Sequence, residues 1–419
     1  MIAVEDAQAI VRADSARLET QHVALAAALG RVLAEDQLSA VDLPPFDNSA
    51  MDGFALRTAG VALPAGTEFD VRGEQAAGDA VRVAEGAGAW EIMTGARMPE
   101  GLDAIVPVEN VSVLARDAAG RPARIRLEAD VAPGANLRHA GEDIERGALA
   151  TPAGTCLTPA HLMLLAGLGI AVVPVVRRPR VAVLCTGREL VDDPARPLGP
   201  SEIRNTNAVY LRARLPAAGA ELAHYETVTD EPAAFAVALE RAVAAGVDIV
   251  LSTGAVSMGR YDFVPQVLES AGARVRFHKV AMRPGKPLLF ARLAQGPLFF
   301  GLPGNPVSTV VGLRFFVEAA IRVMLGLPPE RGWHLPLLHE VGKKRGFRLH
   351  QKARLQLGPD ARIGVELLKG QESFKTRSLM ESAVWATLPA EDERLPRGSM
   401  IEVFPPGHEA GVFLGSQTT

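Results

Sequence analysis

Hydrophobic and polar residues alternate in different ways along the chain, and each spacing predicts a different kind of structure. Residues 1–40 carry apolar positions at helical spacing, which predicts two helices separated at Gly30. From Val41 onward the pattern changes to short strand-like runs divided by turns that contain Gly and Pro, which predict a small β-rich domain. These runs are 68–72, 80–83, 90–94, 104–108 and 124–127. A helical pattern returns over 157–168, so the two flanks of this insertion are expected to form one domain.

Strands and helices alternate from residue 180 to residue 325, which is typical of an α/β domain with a mostly parallel sheet. The runs VAVLC and VDIVL are continuously apolar, as expected for strands that are covered on both faces. The helices predicted between the strands are 207–215, 232–245, 263–271 and 307–325. After Pro328 and Pro329, short strands and turns predict another β domain.

The predicted architecture is therefore a doubly wound α/β domain combined with β-rich domains. The domains are expected at 1–42 with 142–176 (a helical and mixed scaffold), 43–141 (the β-rich insertion), 177–327 (the α/β domain) and 328–419 (the C-terminal β domain).

Composition narrows the class of protein. With 48% hydrophobic and 22% charged residues, the 419-residue chain is expected to be globular, and a net charge of −4 gives no positive field for nucleic acid. Cys156 and Cys185 form no CxxC pair, which fits a reducing cytoplasm without disulfides or a structural metal.

The longest apolar run, 161–176, is too short to span a bilayer and contains Pro174. The acidic N-terminus lacks a basic region followed by an apolar one, so we expect no export signal. We therefore expect a cytoplasmic protein without a membrane or nucleic-acid partner.

Small residues follow three of the predicted parallel strands, in the loops 186–189, 252–257 and 301–306. Ligands of open α/β sheets bind beyond the carboxyl ends of the strands, so these loops are expected to line one pocket and to cradle phosphate with backbone N–H groups. The alternative is that Gly and Pro only terminate the strands. Neither GxGxxG nor GxxxxGK[ST] occurs, which argues against ordinary dinucleotide enzymes and P-loop hydrolases.

A second feature is the basic loop 279–287, which carries Lys279, Arg283 and Lys286 between prolines. Prolines restrict the backbone, so the cations would be in place before an oxyanion or phosphate arrives. The alternative is a solvated basic turn.

Carboxylates also follow the strands of the predicted sheet. Glu189, Asp230 and Asp262 could supply hard oxygen ligands to Mg²⁺, although isolated carboxylates are more often surface or helix-capping residues. Two further acidic loops, 44–55 and 138–144, lie where the insertion joins the rest of the chain. Clefts between domains are favoured ligand sites, whereas the simpler interpretation of 44–55 is an Asx-turn.

Together these strings resemble the MoeA family of molybdopterin molybdenumtransferases. The matching motifs, in chain order, are PPFDNSAMDGFALR, IMTGARMP, GEDI, TGREL, SEIRNTN, STGAVSMGRYDFV, MRPGKP and GLPGNPVS. The resemblance implies an elongated homodimer of four-domain chains with a MogA-like α/β domain and a C-terminal β-barrel-like domain. It also implies Mg²⁺-dependent transfer of molybdate to adenylylated molybdopterin with release of AMP, and transient contact with the adenylylating enzyme.

The resemblance further implies a role for each matching residue. The tetrahedral molybdate dianion would be held by Arg283 and Lys286 with the hydroxyls of Ser257 and Ser308, and Ser378 would add a contact from the last domain. The expected catalytic residues are Asp52, Asp143, Asp262 and Lys286. The other expected substrate-binding residues are Thr94, Arg138, Thr253, Gly254, Lys279, Gly304 and Asn305. Asp52, Thr94, Arg138 and Asp143 would reach the pocket across the dimer, which predicts a site shared by two subunits. An alternative is a non-catalytic molybdopterin carrier or scaffold that uses the same pocket.

Overall fold

The computed structural model describes residues 1–256, 263–294, 296–358 and 361–407. These residues form a mixed α/β and sheet-rich structure with three six-stranded sheets and five two-stranded ribbons. None of the helices in these ranges is long and apolar enough to cross a membrane.

The central sheet is the α/β sheet that the sequence predicts. Its strands, in spatial order, are Glu221–Val228, Arg180–Thr186, Ile249–Thr253, Leu298–Leu302, Leu289–Arg292 and Arg274–His278. The first four strands run parallel, and the last two join by antiparallel pairing. The accompanying helices are Thr206–Ala217, Pro232–Ala244, Val264–Ser270 and Pro306–Gly312, the last of which continues through a π-helical turn at Leu313–Val317 into Glu318–Met324.

The apolar sequence of the strand Arg180–Thr186 is explained by its position in the sheet, because both of its faces are covered. Val181 and Val183 belong to a buried cluster with the helices 206–217 and 306–324, whereas Ala182 and Leu184 belong to a second cluster with Phe235. Alternate residues of one strand therefore face two cores, as expected for a sheet covered on both sides.

A second sheet occupies the β-rich insertion. Its strands, in spatial order, are Ala104–Pro107, Gly53–Leu56, Ala89–Ile92, Glu68–Gln75, Pro122–Leu127 and Val111–Arg116. The predicted strand 80–83 is wrong, since Val83 makes only an isolated bridge to Glu100. The sequence pattern also missed Gly53–Leu56, which lies within the polar motif at 44–57. Gly53 permits this strand because a Cβ atom there would lie 2.0 Å from the carbonyl oxygen of Val106.

The segments on either side of the insertion pair with each other. Thr20–Ala24 pairs with Val172–Val176, and Gln37–Leu38 pairs with Leu149–Thr151. The helices here are Val4–Asp14 and Pro159–Gly167. Residues 20–40 contain no α-helix, so the rest of the helical prediction for residues 1–40 is wrong. The apolar positions before Gly30 fall in the strand Thr20–Ala24 and a short 3₁₀ turn, Leu25–Ala27, because the apolar strand 172–176 offers a pairing partner. After Gly30, Val32 and Leu33 make only isolated bridges.

The third sheet joins the C-terminal region to the α/β domain. Its strands, in spatial order, are Met282–Arg283, Arg348–Leu357, Val384–Leu388, Met400–Phe404 and Trp333–Pro336, with Ile363–Leu367 paired to the second half of Arg348–Leu357. Val341–Gly342 and Arg394–Leu395 form a separate ribbon beside it. Two shorter ribbons, Asn48–Ser49 with Leu137–Arg138 and Leu190–Val191 with Ile203–Arg204, lie elsewhere in the chain. Met282–Arg283 is part of the basic loop and pairs with the strand Arg348–Leu357 of the C-terminal region. The basic loop is therefore fixed to both the α/β domain and the C-terminal region.

Candidate oxyanion site

The three small-residue loops meet at one edge of the central sheet, because the strands that precede them are neighbours. Of the described residues in these loops, Asn305 alone is in the lining of the cationic pocket. The Thr186 hydroxyl donates to the carbonyl oxygen of Thr253 at 2.9 Å, and the Gly254 N–H donates to the carbonyl oxygen of Leu302 at 3.0 Å. Gly254 has φ +91°, and a Cβ atom there would lie 2.7 Å from Thr186 Oγ1. A side chain at position 254 would therefore push two of these loops apart.

A pocket of about 510 Å³ lies between this edge and the C-terminal region. Four residues that the sequence assigns to anion binding line it together, namely Arg283, Lys286, Asn305 and Ser308. Asn305 and Ser308 are at the start of the helical segment 306–324, and the two cations come from the basic loop. The pocket thus combines side chains from two separate loops.

The pocket is strongly cationic. Lys343 and Lys344 line it in addition to Arg283 and Lys286, and no Asp or Glu is among its lining residues in the described ranges. Burial lowers the pKa of Lys343, whose ammonium donates to the carbonyl oxygens of Phe347 and Ala390, both at 3.3 Å. Such an excess of positive charge suits a small anion of high charge.

Polar groups complete the lining. Ser308 is buried, and Gln371 and Ser373 approach from the C-terminal region. The backbone N–H of Val307 donates to the carbonyl oxygen of Ser373 at 2.9 Å, which joins this wall to the start of the helix. Sequence reasoning expected a contact from the C-terminal region but assigned it to Ser378, and it missed Gln371 and Ser373. The adjacent Lys343 and Lys344 are a visible signal of local positive charge.

Lys352 and His350 are both buried and support the part of the pocket lining that Gln371 and Ser373 form. The Lys352 ammonium donates to the carbonyl oxygens of Gly370 and Lys375 at 2.6 and 3.0 Å, and so holds the segment that carries Gln371 and Ser373. His350 stacks on Phe315 with ring centroids 3.9 Å apart. Burial, with nearby arginine charges, lowers the pKa of His350 to about 3, so its ring is neutral at physiological pH.

Other predicted substrate-binding residues lie outside the lining of this pocket. The Ser378 hydroxyl donates to the carbonyl oxygen of Gly370 at 2.9 Å and lines a different groove of the C-terminal region. Lys279 adjoins the N-terminus, since its carbonyl oxygen accepts from the Ile2 N–H. Gly304 is held from a neighbouring helix, because its carbonyl oxygen accepts from Asn207 Nδ2 at 2.8 Å.

Asp52 and Asp143 lie on the two acidic loops at the boundary of the insertion, apart from the lining of this pocket. Asp52 Oδ1 accepts from the backbone N–H and the hydroxyl of Thr94 at 2.7 and 2.9 Å. These bonds, above all the one from the backbone, hold the pKa of Asp52 below its ordinary value. Arg138 pairs in register with Asn48, and the Asp143 N–H donates to the carbonyl oxygen of Leu43.

The two acidic loops at the boundary of the insertion therefore pack against each other. Asp52, Thr94, Arg138 and Asp143 are exposed, and none of them lines the cationic pocket of its own chain. The predicted site residues therefore include two groups: one group lines the cationic pocket, and the other lies on the exposed loops at the boundary of the insertion.

The predicted metal ligands are only partly described. Asp230 accepts from the Arg188 N–H at 3.3 Å, which places it beside the loop that carries Glu189. Asp262 lies outside the described residues, as does Ser257. Within the described parts of the chain, no three His, Cys, Asp or Glu side chains are grouped closely enough to hold a metal ion.

Comparison with known proteins defines the class to which this fold and pocket belong. Residues 2–169 match the MoeA N-terminal region (domains I and II), and residues 182–323 match a probable molybdopterin binding domain. The fold is that of a crystal structure described as the molybdopterin biosynthesis moeA protein of Pyrococcus horikoshii, with a TM-score of 0.79 and 28% identity, covering 96% of this chain and 99% of that one. The class is thus that of MoeA-type proteins.

The curated relatives identify the family to which the chain belongs within this class. The molybdopterin molybdenumtransferase of Synechococcus elongatus is 38% identical over 379 residues, which is 89% of this chain and 91% of the relative. Molybdopterin molybdenumtransferase 2 of Mycobacterium tuberculosis is also 38% identical, over 91% of this chain and 94% of the relative. The chain belongs to the molybdopterin molybdenumtransferase family.

Proposed function

We propose that this chain inserts molybdate into adenylylated molybdopterin and releases AMP. The observation that supports this most strongly is the cationic pocket at the edge of the α/β sheet, which has four lysine and arginine residues and no carboxylate in its described lining. Family membership supplies the reaction class, and the pocket supplies a place for the oxyanion.

Molybdate is a tetrahedral dianion that needs donors from several directions. We assign its binding to Arg283 and Lys286 with the hydroxyl of Ser308, and add Ser373, which lines the same pocket. Charge-assisted hydrogen bonds are stronger than neutral ones, so two cations with hydroxyl donors suit this ion. Since the dithiolene sulfurs of the pterin become the ligands of the metal, the protein needs no cysteine ligand. Both of its cysteines are free, which agrees with the proposed cytoplasmic location.

Binding of the adenylylated substrate is assigned to the loops beside this pocket. Thr253, Gly254 and Gly304 present backbone close to one another where phosphate would lie. Mg²⁺ is assigned to Glu189, Asp230 and Asp262. Mg²⁺ commonly binds through one or two carboxylates together with water and substrate phosphates, so a small carboxylate set suits it. When bound, the ion would offset charge on the departing phosphate.

The exposed residues at the boundary of the insertion are the basis for proposing a site that two subunits share. Asp52, Thr94, Arg138 and Asp143 do not line the pocket of their own chain, so we propose that they reach the pocket of a partner in an elongated homodimer of four-domain chains. An ionised Asp52, kept so by Thr94, would orient or deprotonate the attacking oxygen. Transient contact with the adenylylating enzyme would deliver the substrate.

The decisive assay supplies the purified protein with adenylylated molybdopterin, molybdate and Mg²⁺ and follows AMP release. We expect turnover that stops when Mg²⁺ is chelated and resumes when it is restored. Substrate binding without AMP release would refute the enzymatic proposal and favour the carrier alternative.

Subunit complementation tests the shared site. Asp52→Asn and Lys286→Ala homodimers should each be inactive, whereas mixed dimers contain one site with both native residues and should regain part of the activity. Absence of recovery in verified heterodimers would refute the shared site.

A further inference from the structure

Two of the pocket cations lie over the face of one aromatic ring. The guanidinium carbon of Arg283 is 4.4 Å from the ring centroid of Phe347, and the Lys286 ammonium is 5.8 Å from the same centroid. Both distances are within the range of about 6 Å over which a cation is attracted by the ring quadrupole. Phe347 itself lines the pocket.

The backbone around Phe347 is anchored on both sides. The preceding turn is held to the segment 390–391, because Gly346 N–H donates to Ala390 O at 2.9 Å and Arg345 Nε donates to Glu391 O at 2.6 Å. On the other side, Arg348 N–H donates at 2.9 Å to the carbonyl oxygen of Ala281, which is part of the basic loop. The ring is therefore fixed relative to the cations that it contacts.

We infer that Phe347 is a positioning residue that arranges Arg283 and Lys286 for the oxyanion, an inference that rests on the proposed function. Two like charges on one loop repel each other and would spread into solvent. A carboxylate between them would hold them, but it would also neutralise the charge that binds the anion. An aromatic face attracts both cations and carries no net charge, so it leaves their charge available to the ligand.

The test is the Kd for molybdate, measured by calorimetry at constant ionic strength for the full chain. Phe347→Leu keeps an apolar side chain but removes the ring, and we expect binding about fivefold weaker, which corresponds to about 1 kcal/mol. Phe347→Trp retains an aromatic face and should bind molybdate as the wild type does. Phe374→Leu is the matched control, because Phe374 is exposed and does not line the pocket.

The outcomes separate this inference from the proposed function. If the wild type does not bind molybdate, both are refuted. If the wild type binds and Lys286→Ala weakens binding, but Phe347→Leu binds normally, only the positioning role is refuted. An equal loss in Phe347→Leu and Phe347→Trp would also refute it, because the exact packing shape rather than the aromatic face would then be responsible.

Discussion

Replacement of Lys286 by alanine gives the clearest test of the oxyanion pocket. Lys279 and Lys286 belong to the same basic loop, but only Lys286 lines the pocket. A hydrogen bond to a charged group contributes about 1.5–3 kcal/mol. Lys286 is exposed, so solvent screens part of its charge, and we expect a loss of about 2 kcal/mol, or about 30-fold in Kd.

Isothermal titration with molybdate measures this loss directly. Lys279→Ala is the informative comparison, because it removes the same charge from the same loop without altering the described lining of the pocket. We expect Lys279→Ala to bind molybdate nearly as the wild type does. Equal losses in the two variants would show that only the general charge of the loop matters, and normal binding by Lys286→Ala would refute the assignment of the pocket.

Two further predictions concern Asp52 of the insertion and Gly254 at the edge of the central sheet. Thr94→Val removes the hydroxyl that helps to keep the pKa of Asp52 low but leaves the backbone bond, so Asp52 should protonate at a somewhat higher pH than in the wild type. The acidic limb of the pH profile of kcat/KM should therefore move to higher pH, and an unmoved limb would show that Asp52 does not set it. Gly254→Ala should lower the free energy of unfolding by about 1–3 kcal/mol, since it forces a left-handed residue against Thr186. Gly304→Ala, where the nearest contact of a Cβ atom would be 3.6 Å, is the matched control in denaturant titrations, and an equal loss there would contradict the explanation.

Sequence patterns were most informative where local and tertiary forces agree. The apolar run 181–185 could only be covered on two faces, and the small residues after it marked the carboxyl edge of the sheet. The apolar spacing of the segment 20–27 suits a helix, whereas pairing with the strand Val172–Val176 decides its structure. Such long-range pairing leaves no local signal.

The candidate site likewise contains residues that have a local sequence signal and residues that have none. Motif residues such as Arg283 and Ser308 are conspicuous because their loops contain Gly and Pro. Gln371, Ser373 and Phe347 have no such motif, and they reach the pocket because Met282–Arg283 pairs with the strand Arg348–Leu357. Their contribution depends on contacts between residues far apart in the chain, which the periodicity of one sequence does not encode.

The central claim is that molybdate binds between the basic loop and the C-terminal region. A crystal of the protein soaked in molybdate, measured at the molybdenum absorption edge, would locate the metal by its anomalous scattering. The account predicts a peak within hydrogen-bonding reach of Arg283, Lys286 and Ser308. A peak at a different site, with this pocket empty at a saturating molybdate concentration, would contradict it.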